Sequence, residues 1–189
     1  MLNHQLAIEY LTHAGEAMLV IFQKTFYHML GMQKWYNEDK AFWSLMNLFA
    51  SIDMTKADDG IAAFLAVLTQ HLTSAYLQEF GCIALKELAI NAESRVAVAR
   101  EGGISVLLAG LQQHIMHADV QNEGCQALIF LALDVNNKVE IVQKGGLEVI
   151  LAALKQHPTR ADVQKHGYFA REMVDSDLGL KVALALGDL

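Results

Sequence analysis

The sequence predicts an all-α fold in which helices stack side by side as a solenoid of about three units. Three observations carry this. The first is a block of 43 residues written twice: Gln78-Glu79-Phe80-Gly81-Cys82 returns as Gln121-Asn122-Glu123-Gly124-Cys125, Gly102-Gly103 as Gly145-Gly146, and His114 as His157. Ala118-Asp119-Val120-Gln121 comes back once more as Ala161-Asp162-Val163-Gln164. A fixed period of about 40–47 residues marks stacked units of two or three helices. The second is apolar spacing of three and four. The third is composition, with one proline and 53% hydrophobic residues in 189, which suits a helix-rich, well-buried chain.

Each copy reads as short helix, glycine pair, middle helix, histidine-containing loop, long helix. Cys82, Leu85, Leu88 and Ala89 line one helical face, and Cys125, Leu128, Leu131 and Ala132 line the next. Gly103 opens a run with Ile104, Val106, Leu107, Leu108 and Leu111. Gly146 opens one with Leu147, Val149, Ile150, Leu151 and Leu154. A short amphipathic turn with Val96 and Val98, then Val139 and Ile141, precedes each glycine pair. The pair supplies a sharp corner, through φ angles that a side chain penalises.

In its Gly103-Ile104, Val106-Leu107-Leu108, Val120-Gln121, Gly124-Cys125 and Ala127-Leu128-Ile129-Phe130-Leu131-Ala132 elements, the chain resembles the armadillo-repeat family. The likeness is strongest over 78–120 and 121–163. It implies a right-handed α-solenoid of about three armadillo-like repeats with an N-terminal helical cap.

Taken in order, residues 1–31 carry Met and aromatic residues at helical spacing and read as that cap, since solenoids close their open cores with atypical end units. Residues 32–77 form a divergent unit. Asn37 is placed to cap a helix running through Ala50, Ser51–Asp59 reads as a polar, mobile connector, and Asp59-Gly60 replaces the glycine pair. Residues 164–189 start a further, incomplete unit. There Arg171 and Asp175 fill the slots of Leu128 and Ala132, which predicts a solvent-facing helix. The apolar tail Leu178, Leu180, Val182, Leu184 and Leu186 points to a longer array or to self-association through this end.

A net charge of −7 argues against a nucleic-acid binder, which needs a basic face. The run Ala17–Phe22 is too short to span a bilayer and has no basic leader, so no membrane partner is expected and the cytoplasm or nucleus is the expected location. Cys82 and Cys125 share one slot in successive copies. Helices stacked about 8–10 Å apart exceed the roughly 7 Å reach of a disulfide, so both read as small buried residues in a reducing compartment.

Nothing in the sequence reads as a catalytic, cofactor or metal site. His71, His114 and His157 recur about 10 Å apart, too far to share an ion, and read as groups that close the middle helices. His4, His13 and His166 read as surface residues. The glycine pairs lack a phosphate-loop pattern, and Asp58-Asp59 and Asp175/Asp177 have no nucleophile or histidine beside them. No enzyme is expected.

The armadillo resemblance implies instead a concave groove lined by the long helices. Carried over by position, its contact slots are Trp43 and Asn47, Ile83 and Glu87, Gln126 and Phe130, Phe169 and Met173. Only the first pair keeps the family's Trp and Asn, which argues against a nuclear-signal binder. The mixed, apolar stripe suits an amphipathic helix or an apolar peptide of another protein. Trp43 and Phe130 as plain core residues is the competing reading. The expected function is a protein–protein interaction scaffold. The alternative is a structural, self-assembling segment that uses its open ends.

Overall fold

The structure, a computed structural model, describes residues 57–175. Among the described residues there are eight α-helices and no strand, the all-α class that the spacing predicts. None of these helices is long and apolar enough to cross a membrane. The chain divides into two units, Met1–His71 and Leu72–Leu189.

In the first unit the described element is α1, Ala57–Gln70. Ile61, Phe64, Leu65 and Leu68 are buried while Ala62 and Ala66 are exposed, the one-sided pattern of a three/four spacing. Gly60 lies inside this helix, not at its start, so the connector expected over Ser51–Asp59 has already become helix at Ala57. The partner of Gly60 is Asp59, and an aspartate lacks the easy access to positive φ that a sharp corner needs. The expected N-terminal cap, Trp43, Asn47 and the apolar tail lie outside the described residues.

The second unit holds α2 (Ala75–Ile90), α3 (Ala92–Arg100), α4 (Gly103–Gln113), α5 (Ala118–Leu131), α6 (Val135–Gln143), α7 (Gly146–Gln156) and α8 (Ala161–Asp175). The starts of α5, α6 and α7 each fall one 43-residue period after those of α2, α3 and α4, and α8 follows α5 by the same step. The long helices pack in the order α2, α5, α8.

The short helices expected before the glycine pairs are α3 and α6, of 9 residues each. Side-chain caps explain why they form. Asn91 accepts from the Ser94 amide at 3.0 Å. Asp134 accepts from the Asn136 and Asn137 amides at 2.9 and 3.1 Å. At the end of α2, Arg95 Nε donates to Ala89 O at 2.8 Å, occupying a carbonyl the helix leaves open.

Each glycine of a corner pair answers a different demand. Gly102 and Gly145 take φ +84° and +79°, left-handed values that cost an L side chain roughly 1–2 kcal/mol. Gly103 and Gly146 have no such angle. A Cβ there would stand 2.7 Å from Val98 O and 2.8 Å from Ile141 O, respectively, too close for any carbon.

The predicted core stripes are buried: Cys82, Leu85, Leu88 and Ala89 on α2, then Cys125, Leu128, Leu131 and Ala132 on α5. In the matching slots of α8, Arg171 and Asp175 are exposed, as expected for a solvent-facing helix. Leu151 departs from expectation. It is 48% exposed, whereas Leu108, one period earlier, is 3% exposed. Leu108 lies in a copy that has another behind it, and the described helices offer no further copy to cover Leu151.

Candidate interaction surface

Six of the eight predicted contact residues lie on described helices. Ile83, Gln126 and Phe169 hold matching positions on α2, α5 and α8. Glu87, Phe130 and Met173 follow one turn later. Phe169 is 54% exposed, and the other five are half-buried. Phe130 is therefore neither free surface nor sealed core. Its neighbours Leu128 and Leu131 are both fully buried and fill the interior that the core reading would have given it.

Side-chain bonds tie the three helices together beside these positions. Lys86 Nζ reaches Glu123 Oε2 at 2.7 Å, joining α2 to α5. Glu123 Oε1 accepts from Gln126 Nε2 at 3.2 Å and from Asn122 Nδ2 at 3.0 Å. Asn122 Oδ1 is 2.7 Å from His166 Nδ1, joining α5 to α8. His166, expected at the surface, is half-buried in this network. Ion pair and hydrogen bonds thus form one line that crosses the Ile83–Gln126–Phe169 row obliquely, from Lys86 just past the row on α2 to Glu123 and His166 one turn before it on α5 and α8.

That line is electrically lopsided. Burial raises the Glu79 carboxyl above its ordinary value, and the negative charges of Asp119 and Glu123 push it further. His166 is lowered, first by burial and then by Lys165, against the pull of Glu123 and Asp162. Arg160 donates to Asp119 Oδ1 at 2.6 Å and to Asp162 Oδ2 at 2.8 Å. That hydrogen bond holds the Asp162 carboxyl down at about 2. Sequence reading singled out none of these groups as a cluster, although the signal is there. Lys86 is three residues past Ile83, Glu123 three before Gln126 and His166 three before Phe169, spacings that share a helical face.

On the other side of the row three apolar side chains stand exposed, beside Asn91 and Asp134. Ile90 and Leu133, at matching positions three residues beyond Glu87 and Phe130, are 53% and 51% exposed, and Val135 beside them is 47% exposed. These fall at helix ends, where periodicity is lost, and were not picked out from sequence.

The recurring histidines act differently from expectation. The backbone N–H of His114 and of His157 closes its own helix, to Gly110 O at 3.0 Å and Ala153 O at 3.1 Å. The imidazoles do not meet carbonyls of the helices they end. His114 Nε2 lies 2.7 Å from Leu72 O and His157 Nε2 lies 2.7 Å from Ile115 O, each reaching back to the preceding corner. Gln121 Nε2 then donates to Leu111 O and His114 O at 2.9 and 3.0 Å, and Gln164 repeats this on Leu154 O and His157 O at 2.8 and 3.0 Å.

Cys82 and Cys125 are free and buried, as predicted. Burial pushes the Cys125 thiol up to about 12 and raises Cys82 as well, so neither presents a thiolate nucleophile near neutrality. Among the described residues no set of three His, Cys, Asp or Glu side chains is placed to hold a metal ion. What the surface offers a ligand is apolar area edged by negative charge. Compared with protein-family models, curated proteins and solved structures, the chain returns no match.

Proposed function

We propose that the chain is a non-enzymatic protein–protein interaction scaffold. In this reading it is a right-handed, armadillo-like α-solenoid of about three repeats that receives a peptide or helix of another protein along α2, α5 and α8. The setting is cytoplasmic or nuclear, where buried thiols stay reduced. The observation that carries the reading is Phe169: a large apolar side chain left 54% exposed, in one row with Ile83 and Gln126 and one turn from Phe130 and Met173. Aromatic and Met side chains in such a row are the usual anchors of interfaces.

The test is capture of partners from cell extract on immobilised protein, followed by mass spectrometry, with Ile83→Ala, Phe130→Ala and Phe169→Ala alongside. Loss of the captured partner with the melting temperature within a few degrees of wild type supports the reading. A parallel loss of partner and of stability overturns it.

A second reading is self-assembly through the outer side of α8. It is favoured by Leu151 and Tyr168, 48% and 54% exposed, where the matching Leu108 and Cys125 are buried. Sedimentation of wild type against Tyr168→Asp, Leu180→Asp and Leu184→Asp decides it. A wild type that sediments as a monomer excludes it.

A further inference from the structure

The ladder also carries information about the form of its occupant. An extended peptide brings one unpaired N–H and C=O per residue, and a groove that holds it must supply partners for them. The two rows on α2, α5 and α8 contain a single amide, Gln126, and its Nε2 already donates to Glu123 Oε1 at 3.2 Å and Asn122 O at 3.5 Å. The nearest other amide, Asn122, donates to Glu123 Oε1 at 3.0 Å and meets His166 Nδ1 at 2.7 Å. The remaining positions are Ile83, Phe130, Phe169, Met173 and the carboxylate Glu87. Such a surface rewards apolar contact and gives little to a foreign backbone, whereas a helix satisfies its own backbone and needs only apolar contact.

The charge around the rows selects further. The N-terminal ends of α2 and α5 carry Glu79, Asp119 and Glu123. Of these, Glu123 is paired with Lys86 at 2.7 Å and Asp119 with Arg160 at 2.6 Å, which leaves Glu79 as the carboxylate that no described cation holds. Lys165, exposed on α8 at the position matching Glu79 and Asn122, puts a positive charge where α2 has a negative one. On the C-terminal side the rows run out into exposed Ile90 and Leu133. One edge of the ladder carries Glu79, its middle mixes Ile83, Phe130, Phe169 and Met173 with Gln126 and Glu87, and its other edge exposes Ile90 and Leu133.

We infer that the occupant is an amphipathic α-helix of a partner protein, its apolar stripe on Ile83, Phe130, Phe169 and Met173 and a lysine- or arginine-bearing flank over Glu79. This rests on the scaffold reading above and narrows it from peptide or helix to helix, with a stated sign of charge.

Three synthetic peptides of about 18 residues test it, long enough to be helical when bound. One has leucines at helical three/four spacing with lysines on one flank. The second replaces the lysines by glutamates. The third keeps the lysines and carries two central prolines, which bar a continuous helix. Binding is read by fluorescence anisotropy on the full chain, with Phe169→Ser and Glu79→Gln beside it. The lysine helix should bind wild type about tenfold tighter than either other peptide, a gap of about 1.4 kcal/mol. Phe169→Ser should weaken it by a comparable factor, and Glu79→Gln by a smaller one that vanishes at high salt. Equal binding of the proline peptide overturns the helical occupant and leaves the scaffold reading standing. Equal binding of the glutamate peptide overturns the basic flank alone. A lysine helix that fails to bind overturns the inference. One that binds Phe169→Ser as well as wild type is seated elsewhere, and the scaffold reading then fails with it.

Discussion

The imidazole of His157 stands 2.7 Å from the carbonyl oxygen of Ile115, 42 residues earlier in the chain. His114 holds the same relation to Leu72. Both imidazoles are buried, 8% and 6% exposed, while Leu72 and Ile115 are half-buried, so the bond joins successive copies at the margin of the interior. His157→Ala should leave the Ile115 carbonyl without its partner and cost about 1–3 kcal/mol, read as a lower urea midpoint with unchanged slope. A change within a few tenths of a kcal/mol would show that the link is idle.

The two glutamines differ in burial though not in bonding. Gln121 is 0% exposed and Gln164 is half-buried, yet each donates to two carbonyls. Gln121→Ala should therefore destabilise by about 2 kcal/mol and Gln164→Ala by clearly less, since water reaches the carbonyls freed in the second case. Chemical denaturation of the two variants checks the order.

At the corners the two glycines of a pair should respond unequally. Gly145→Ala forces a left-handed φ on a side chain and should cost about 1–2 kcal/mol. Gly146→Ala sets a methyl against the Ile141 carbonyl and should cost more, because main chain must shift. Thermal denaturation that ranks Gly145→Ala above Gly146→Ala would contradict this account.

The acidic edge should show in the pH dependence of stability. Glu79 has its carboxyl raised in the fold. Its contribution is present below its ordinary value of 4.5 and is lost as pH rises through the folded value. Glu79→Gln should accordingly raise the melting temperature at pH 7 and lose that advantage in acid. Asp162 behaves in the opposite sense. Held at about 2 against an ordinary 3.8, it favours the fold above pH 3.8 and gives this up as pH falls towards 2. Arg160→Ala should return its midpoint towards 3.8 in an NMR titration, with little change in melting temperature because the pair is exposed.

Much of the fold was legible because burial repeats with the sequence. Leu85 and Leu128, one period apart, are both 0% exposed, and glycine pairs mark corners wherever both glycines are present. Asp59-Gly60 was misread for the same reason: one glycine resembles half a corner, and without its partner the helix runs through. The role of the histidines was hidden because their acceptors are main-chain oxygens, which no side-chain pattern reveals. Of the interaction ladder, sequence marks the slots but not their wiring. Lys86, Glu123 and His166 look like scattered surface charges until α2, α5 and α8 are set side by side.

Because each histidine grips a main-chain oxygen, the identity of the residue bearing that oxygen is immaterial: leucine serves at 72 and isoleucine at 115. A duplicated block inserted in register would bring its own donor and find an acceptor waiting, whatever side chain stood there. Growth of such a chain by gene duplication asks for no matching mutation at this bond, in contrast to side-chain pairs such as Lys86 with Glu123 that both partners must supply.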